Sequence, residues 1–236
     1  MTIPAGIVAS GRRASSSGYA AAVLADSPLA YYRLGETSGS AMLDSSGNAR
    51  DGTYGASAAL GATGLVGDSD KAIDALGTGI AGTVPSATWM NLTAFTVEVV
   101  FVGDVVDGYS VIASRWNGSS QFAMMFLIRP DAGVLKFYRA SGGSYINVGS
   151  LPLVAGTRYH VVATYTDVGN DMRLYVNGAL QASGSSGGAN NQPTEPLTIG
   201  AHGGAGDPFD GRIDEFAFYG TALSAARVAA HHAAIV

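Results

Sequence analysis

Cysteine is absent from all 236 positions. That excludes a disulfide framework, a thiolate metal centre and a cysteine nucleophile, and it leaves the compartment open. Charge is scarce as well: Asp, Glu, Lys and Arg make up 13% of the chain, against roughly 25% in an ordinary globular protein. Thirteen basic residues face 18 acidic ones, for a net charge of −5. With no cluster of Lys or Arg to neutralise a phosphate backbone, nucleic acid is not an expected partner. No run is long and apolar enough to span a bilayer, so membrane insertion is not expected. The opening stretch MTIPAGIVASGRRASSSGY has no apolar h-region, because Arg12 and Arg13 follow the short IVA run, so classical secretion is not expected either.

What the chain does have is glycine and short apolar runs. Its 33 glycines lie between apolar segments and form no repeat, which is turn punctuation rather than linker or collagen. Strand-like segments separated by turn signals recur about every 8 to 12 residues, the pattern of a β-sandwich. In FTVEVVF, Phe95, Val97, Val99 and Phe101 fall on one face and Thr96, Glu98 and Val100 on the other. In DMRLYVNG, Met172, Leu174 and Val176 alternate with Arg173 and Tyr175, and Asn177-Gly178 predicts a two-residue hairpin. Helical character is confined to Tyr19–Ala25, with Ser17 as a cap, and to SAARVAAHHAA, with Ser224 as N-cap. The fold class expected is therefore all-β, an antiparallel two-sheet sandwich with short N- and C-terminal helices. TSGSAMLDSSGNARDGTY is expected to be a loop.

Residues 1 to 17 are small, polar and glycine-containing. Alone, such a segment cannot bury enough surface to offset its ordering entropy. The chain is expected to divide into residues 1–25, an arm and short helix that dock on a partner or on a second copy, and residues 26–236, one sandwich domain.

Four segments carry a resemblance: AYYRLGETSGSAMLDSSGNARDGTY, FTVEVVF, RYHVVATYTDVGNDMRLYVNGALQAS and PLTIGAHGGAGDPFDGRIDEFAFYGTALSAARV. In this order and spacing they resemble the laminin G-like jelly roll of the concanavalin A-like lectin/glucanase superfamily. The opening YAAAVLADSPLAYYRLGE is similar to the entry of such domains in tail-associated proteins of phages that infect actinobacteria. The resemblance implies a sandwich of two curved sheets, often with one calcium, whose members bind glycans or proteins and in some branches hydrolyse polysaccharides. It implies, too, that Asp214 in the last long strand holds a structural calcium, with Asp44 in LDSSGN as co-ligand. The alternative for Asp214 is that it accepts backbone hydrogen bonds and pins the two ends of the chain.

The chemistry of the remaining residues is less specific. A glycosidase needs two facing carboxyl groups, and the strand bearing Glu98 offers no second acid, so no enzyme is expected. Asp214 and Glu215 are neighbours on a strand and are expected on opposite faces, with Glu215 pairing with an arginine or facing solvent. His160 reads as a core histidine; His231 and His232 diverge on a helix and make no zinc site. GAHGGAG lacks the Lys-Ser/Thr ending and the following helix of a phosphate loop and is a turn. For glycan contact, aromatic faces beside amide and charged groups are needed. Trp116 and Asn117 supply these at a loop edge, and Tyr138, Arg139, Tyr145 and Asn147 across a hairpin, with His202 in a glycine-rich loop. The alternative is that these rings are ordinary core and rim residues.

Three functions compete. The first is a non-catalytic virion protein of minor tail or decoration type, part of an oligomeric assembly, whose lectin-like domain contacts host-surface polysaccharide. The second is a secreted or cell-surface carbohydrate-binding or glucanase-like protein. The third is a protein–protein interaction module.

Overall fold

The computed structural model describes residues 18–185 and 187–235. Ser17 and the arm that precedes it lie outside the described residues. The helices are α1 (Gly18–Ala25) and α2 (Ala225–Ala233). The strands follow the chain as β1 (Ala30–Tyr32), β2 (Ala41–Met42), β3 (Gly52–Tyr54), β4 (Ala58–Thr63), β5 (Lys71–Leu76), β6 (Gly82–Val84), β7 (Ala94–Gly103) and β8 (Ala113–Trp116). After them come β9 (Met124–Asp131), β10 (Val134–Ser141), β11 (Ser144–Pro152), β12 (Arg158–Thr166), β13 (Asp171–Val176), β14 (Ala179–Ser185), β15 (Leu197–Ile199) and β16 (Asp210–Tyr219).

These strands make two antiparallel sheets. The first runs β14-β13-β12-β7-β16-β5-β4, with β1 also paired to β16. The second runs β11-β10-β9-β8-β15-β6-β3-β2. The alternation in β7 explains the layering: Phe95, Val97, Val99 and Phe101 enter the core between the sheets. Phe95 sits at its centre, 5.6–6.2 Å centroid to centroid from Phe126, Phe137, Tyr165 and Phe218. The predicted hairpin is present between β13 and β14, with Asn177 and Gly178 both at positive φ (50° and 79°), as a type I′ turn requires.

The outer face of the first sheet is not left to water. Val100, Val102, Val162, Tyr175, Ala217 and Tyr219 form a second apolar layer with Tyr19, Ala20 and Val23 of α1 and Leu223, Val228 and Ile235 around α2. This is why all of Phe95–Gly103 is buried on both sides. α2 starts as expected, Ser224 capping it by accepting the Arg227 N–H at 3.3 Å.

Two expectations are corrected. The stretch expected as a loop contains β2 and β3, and β4 was not foreseen at all. All three are short pieces rich in Ala, Gly and Thr, in which pairing to a neighbouring strand supplies what intrinsic β-propensity does not. The segment 18–25, grouped with the arm from sequence, is packed into the sandwich: Tyr19 and Val23 have no solvent exposure.

Candidate functional site

The second sheet contrasts with the first, because among the described residues neither helix covers its outer face. Register decides which side chains share that face. Tyr138 on β10 lies opposite Leu127 on β9 and Asn147 on β11, while Lys136 lies opposite Arg129. Residues directly opposite project to the same side, so Arg129, Leu127, Lys136, Tyr138, Tyr145 and Asn147 are aligned outward. Trp116, at the end of β8, joins Leu127, Ala140 and Tyr138 in a small apolar cluster there.

Between them lies a groove of about 100 Å³ lined by Trp116, Leu127, Arg129, Tyr138 and Tyr145. The Trp116 ring is 8% exposed and forms the groove's back. Tyr145, 43% exposed, stands edge-on to it at 6.0 Å. His202 packs on Trp116 at 4.9 Å. The imidazole is lodged between two glycines: a Cβ at Gly118 would lie 2.3 Å from it and one at Gly206 2.5 Å. The Arg129 guanidinium sits between the rings of Tyr109 (4.9 Å) and Tyr138 (5.2 Å). It donates from Nη1 to Asp207 at 3.0 Å, while its buried Nε–H has no protein partner. Lys136 is paired with Asp131 at 3.0 Å, and the Tyr138 hydroxyl donates to the same carboxylate.

Of the residues selected from sequence for glycan contact, Trp116, Tyr138, Tyr145, Asn147 and His202 are therefore gathered on or beside one face. Arg139 is not: it follows Tyr138 on β10 and points inward, fully buried, stacked 4.5 Å over the Tyr165 ring and donating to the Gly188 carbonyl at 3.0 Å. Strand alternation carried that signal. Asn117 spends its side-chain oxygen on the backbone N–H groups of Ser119 and Ser120, both at 3.0 Å, and so shapes the loop beside Trp116. Arg129, which sequence reasoning missed, is placed here by pairing register alone. A wider depression of about 340 Å³ elsewhere is floored by Arg115. All three of that guanidinium's nitrogens donate to the protein, to the carbonyls of Glu195, Met90 and Pro193 and to Asn91, so it acts as a clamp.

A two-sheet antiparallel sandwich is the architecture the sequence resemblance implied, and a family model decides the matter. Residues 76–229 match the laminin G-type family described as Concanavalin A-like lectin/glucanases superfamily. The chain belongs to that superfamily. Solved structures with the same fold include the binding domain of Paraclostridial Mosquitocidal Protein 1, with a TM-score of 0.71 and 17% identity over 89% of this chain and 52% of that one. Domain 4 of AbnA, a GH43 extracellular arabinanase from Geobacillus stearothermophilus solved with arabinotriose, gives 0.66 and 19% over 86% and 97%. The botulinum neurotoxin serotype G binding domain gives 0.63 and 12% over 87% and 50%. The chain thus spans about half the length of the two toxin binding domains. At these identities the likeness is one of fold. A comparison with curated proteins finds no match.

In this concanavalin A-like domain the buried acids among the described residues, Glu98, Asp214 and Glu215, lie on the helix-covered side. Glu98 is fully buried. It accepts hydrogen bonds from the hydroxyls of Tyr19 (2.9 Å) and Tyr219 (2.7 Å), from His160 Nε2 (2.8 Å) and from His231 Nδ1 (3.0 Å). His231 Nε2 reaches Asp26 at 2.8 Å, and Arg227 also holds Asp26 at 2.8 Å. Both ring nitrogens of His231 face carboxylates, so both carry protons. Burial acts to lower the His231 pKa, but the two acids outweigh it and raise it. Burial likewise acts to raise the Glu98 pKa, and the hydrogen bonds and charges of His160 and His231 bring it well below the ordinary value. His160 is the core histidine expected. His231 was set aside in the sequence because it and His232 diverge on a helix; the partner it finds, Glu98, is 133 positions away.

The expectation that Asp214 and Glu215 point apart is overturned. The β16–β7 register shifts between Asp214 and Ala217, and Glu215 sits at φ 54°. This bulge turns both side chains to the outer face. Asp214 Oδ2 accepts the Leu65 N–H at 2.7 Å, joining the chain's late strand to an early loop. Glu215 accepts from Arg33 at 3.0 Å and from the Tyr31 hydroxyl, and Arg33 also holds Asp68 and Asp70. Burial first, then the neighbouring Glu215, pushes the Asp214 pKa well up. Burial raises Glu215 to about 7 against the pull of Arg33.

This donor set does not fit a calcium ion shared by Asp44 and Asp214. Asp44 Oδ1 already accepts from the N–H groups of Tyr31 and Ser46, and Oδ2 from the Ser46 hydroxyl and the Arg50 N–H, all within 2.9–3.0 Å. Asp214 Oδ1 is buried without a protein partner, but Arg33 already stands as the cation among Glu215, Asp68 and Asp70. Among the described residues no group of three or more His, Asp or Glu is placed to hold a metal.

Proposed function

We propose that this domain is a non-catalytic carbohydrate-recognition module that takes a glycan into the Trp116–Tyr138–Tyr145 groove. The observation that carries the reading is the partly exposed Tyr145 ring, backed by Trp116 on the uncovered face of the second sheet. A ring held rigidly by a second ring is a stacking platform for the CH face of a sugar, with little entropy to lose. A related fold solved with arabinotriose and folds named as toxin binding domains support the same reading.

Hydrolysis is disfavoured by the placement of the acids. It needs one carboxyl held protonated beside the sugar and a second facing it. Glu98, Asp214 and Glu215 are fully buried beneath the helix-covered side. At the groove, burial acts to raise the Asp131 pKa, but hydrogen bonds from Tyr138 and Lys136 hold it below its ordinary value, the wrong direction for a general acid.

The same reading places the domain on a phage particle, with residues 1–17 as the segment that docks on a neighbouring virion protein or copy and host-surface polysaccharide as ligand. The opening motif's similarity to tail-associated proteins supports it; an extracellular protein delivered otherwise is the alternative. Immunogold labelling of purified particles tests the placement. For the groove, Tyr145→Ala is expected to weaken glycan binding about tenfold, the loss of one aromatic contact worth ~1.5 kcal/mol, with an unchanged melting temperature. Equal affinities for variant and wild type would refute the groove, and measured release of reducing sugar would refute the non-catalytic assignment.

A further inference from the structure

The charges at the groove go further than the reading just given, on which this inference rests. Every cation there is already matched. Arg129 is paired with Asp207, and Lys136 with Asp131. The Tyr138 hydroxyl is committed to Asp131 as well. A uronate, sialate or phosphosugar entering the groove would find no uncommitted cation and would meet two carboxylates at its rim. It would have to displace one of them from its partner before gaining anything.

The unspent groups are of another kind. Arg129 Nε–H is a buried donor with no protein partner, within a guanidinium that Tyr109, Tyr138 and Asp207 hold in place. That Nε–H is closed off from the groove, so the donors and acceptors open to a ligand lie elsewhere on the face. Asn147 is exposed on the same face, opposite Tyr138, and offers a carboxamide that both donates and accepts. His202 Nδ1 accepts the Gly204 N–H at 3.2 Å, which puts its proton on Nε2. These are groups for hydroxyls, set beside an aromatic face.

The geometry points to an uncharged glycan as the ligand of this groove, with the Arg129–Asp207 and Lys136–Asp131 pairs acting as a filter against acidic sugars. The filter works by leaving no free positive charge, so it is specificity by an unfavourable exchange. Removing Asp207 would release Arg129 and open the groove to anions.

The test uses the full chain and a panel of short oligosaccharides in calorimetry: neutral arabino-, gluco- and galacto-oligosaccharides against oligogalacturonate and sialyllactose, at low and high salt. The wild type should bind a neutral member at least about tenfold more tightly than any acidic one, with a Kd that changes less than about twofold with salt. Asp207→Asn should strengthen binding of an acidic sugar about fivefold or more, and that gain should vanish at high salt. Asp131→Asn, which releases Lys136, is the second variant should the first fail to fold, and the same gain is expected. Tighter binding of an acidic sugar by the wild type, weakened by Tyr145→Ala, would overturn the uncharged class while leaving the groove standing. Binding of neither class, or binding indifferent to Tyr145→Ala, would remove the groove and this inference with it.

Discussion

Replacing Glu98 by Gln changes almost no volume, yet it strikes the group on which the helix-covered side converges. The carboxylate accepts from Tyr19, Tyr219, His160 and His231 at 2.7–3.1 Å with no solvent exposure. An amide NH2 in its place would face a donor on at least one side, and the imidazolium of His231 would be left with Asp26 alone. Breaking a buried charge pair by removing one partner costs about 3–5 kcal/mol, and a single charged hydrogen bond about 1.5–3 kcal/mol; the first figure is the appropriate one, since the others partly reorganise. For a chain of this size each kcal/mol is worth roughly 2–4 °C, so Glu98→Gln is expected to lower the melting temperature by about 6–20 °C at pH 7. The pH profile supplies a second readout. The His231 pKa is raised, so its contribution is complete below the ordinary histidine value and is lost as pH rises through the raised one. The Glu98 pKa is depressed, so its contribution is complete above the ordinary glutamate value and is lost as pH falls toward the depressed one. The contribution of this pair to wild-type stability should therefore form a plateau between the two ordinary values and fall on either side, and in Glu98→Gln both of these components should be lost from the pH profile. Urea unfolding followed by circular dichroism across a pH series measures both. A cost below about 1 kcal/mol with unchanged slopes would refute the reasoning.

Asp214→Asn should be neutral or stabilising at pH 7. The folded pKa is raised, so wild-type stability declines as pH rises from the ordinary aspartate value through the folded one; the variant should lack that decline, as read from melts between pH 4 and 8. Because the acids around Arg33 leave no fitting cation site, a chelator is expected to leave the melting temperature unchanged. A drop that calcium reverses and Asp214→Asn abolishes would reinstate the metal. Truncation through Ala25, which removes Tyr19 and Val23 from the second apolar layer, should cost several °C.

What was legible in the sequence followed from local pattern. The β7 alternation, the Asn177-Gly178 turn and the Ser224 cap each specify their structure within a few residues, and the structure contains all three. Strands β2 to β4 were not legible, since Ala, Gly and Thr in short pieces carry no period and are fixed by the strands they pair with. The bulge at Glu215 was hidden for a different reason: a non-glycine residue at positive φ leaves no compositional mark, so the rule of alternation put the two acids on opposite faces. The Glu98–His231–Asp26 network joins positions from both ends of the chain to the middle, and only the closed fold reveals it. The groove was half legible. Its rings were recognisable as sugar-contact types, but Arg129 entered and Arg139 left through the β9–β10–β11 register.

The most direct test of the open-face account is a crystal structure of the domain with a bound neutral oligosaccharide. A sugar ring lying on Tyr145 with a hydroxyl at the Asn147 carboxamide is the predicted result. An intact sugar ordered on any other surface, or cleaved product anywhere, would contradict it.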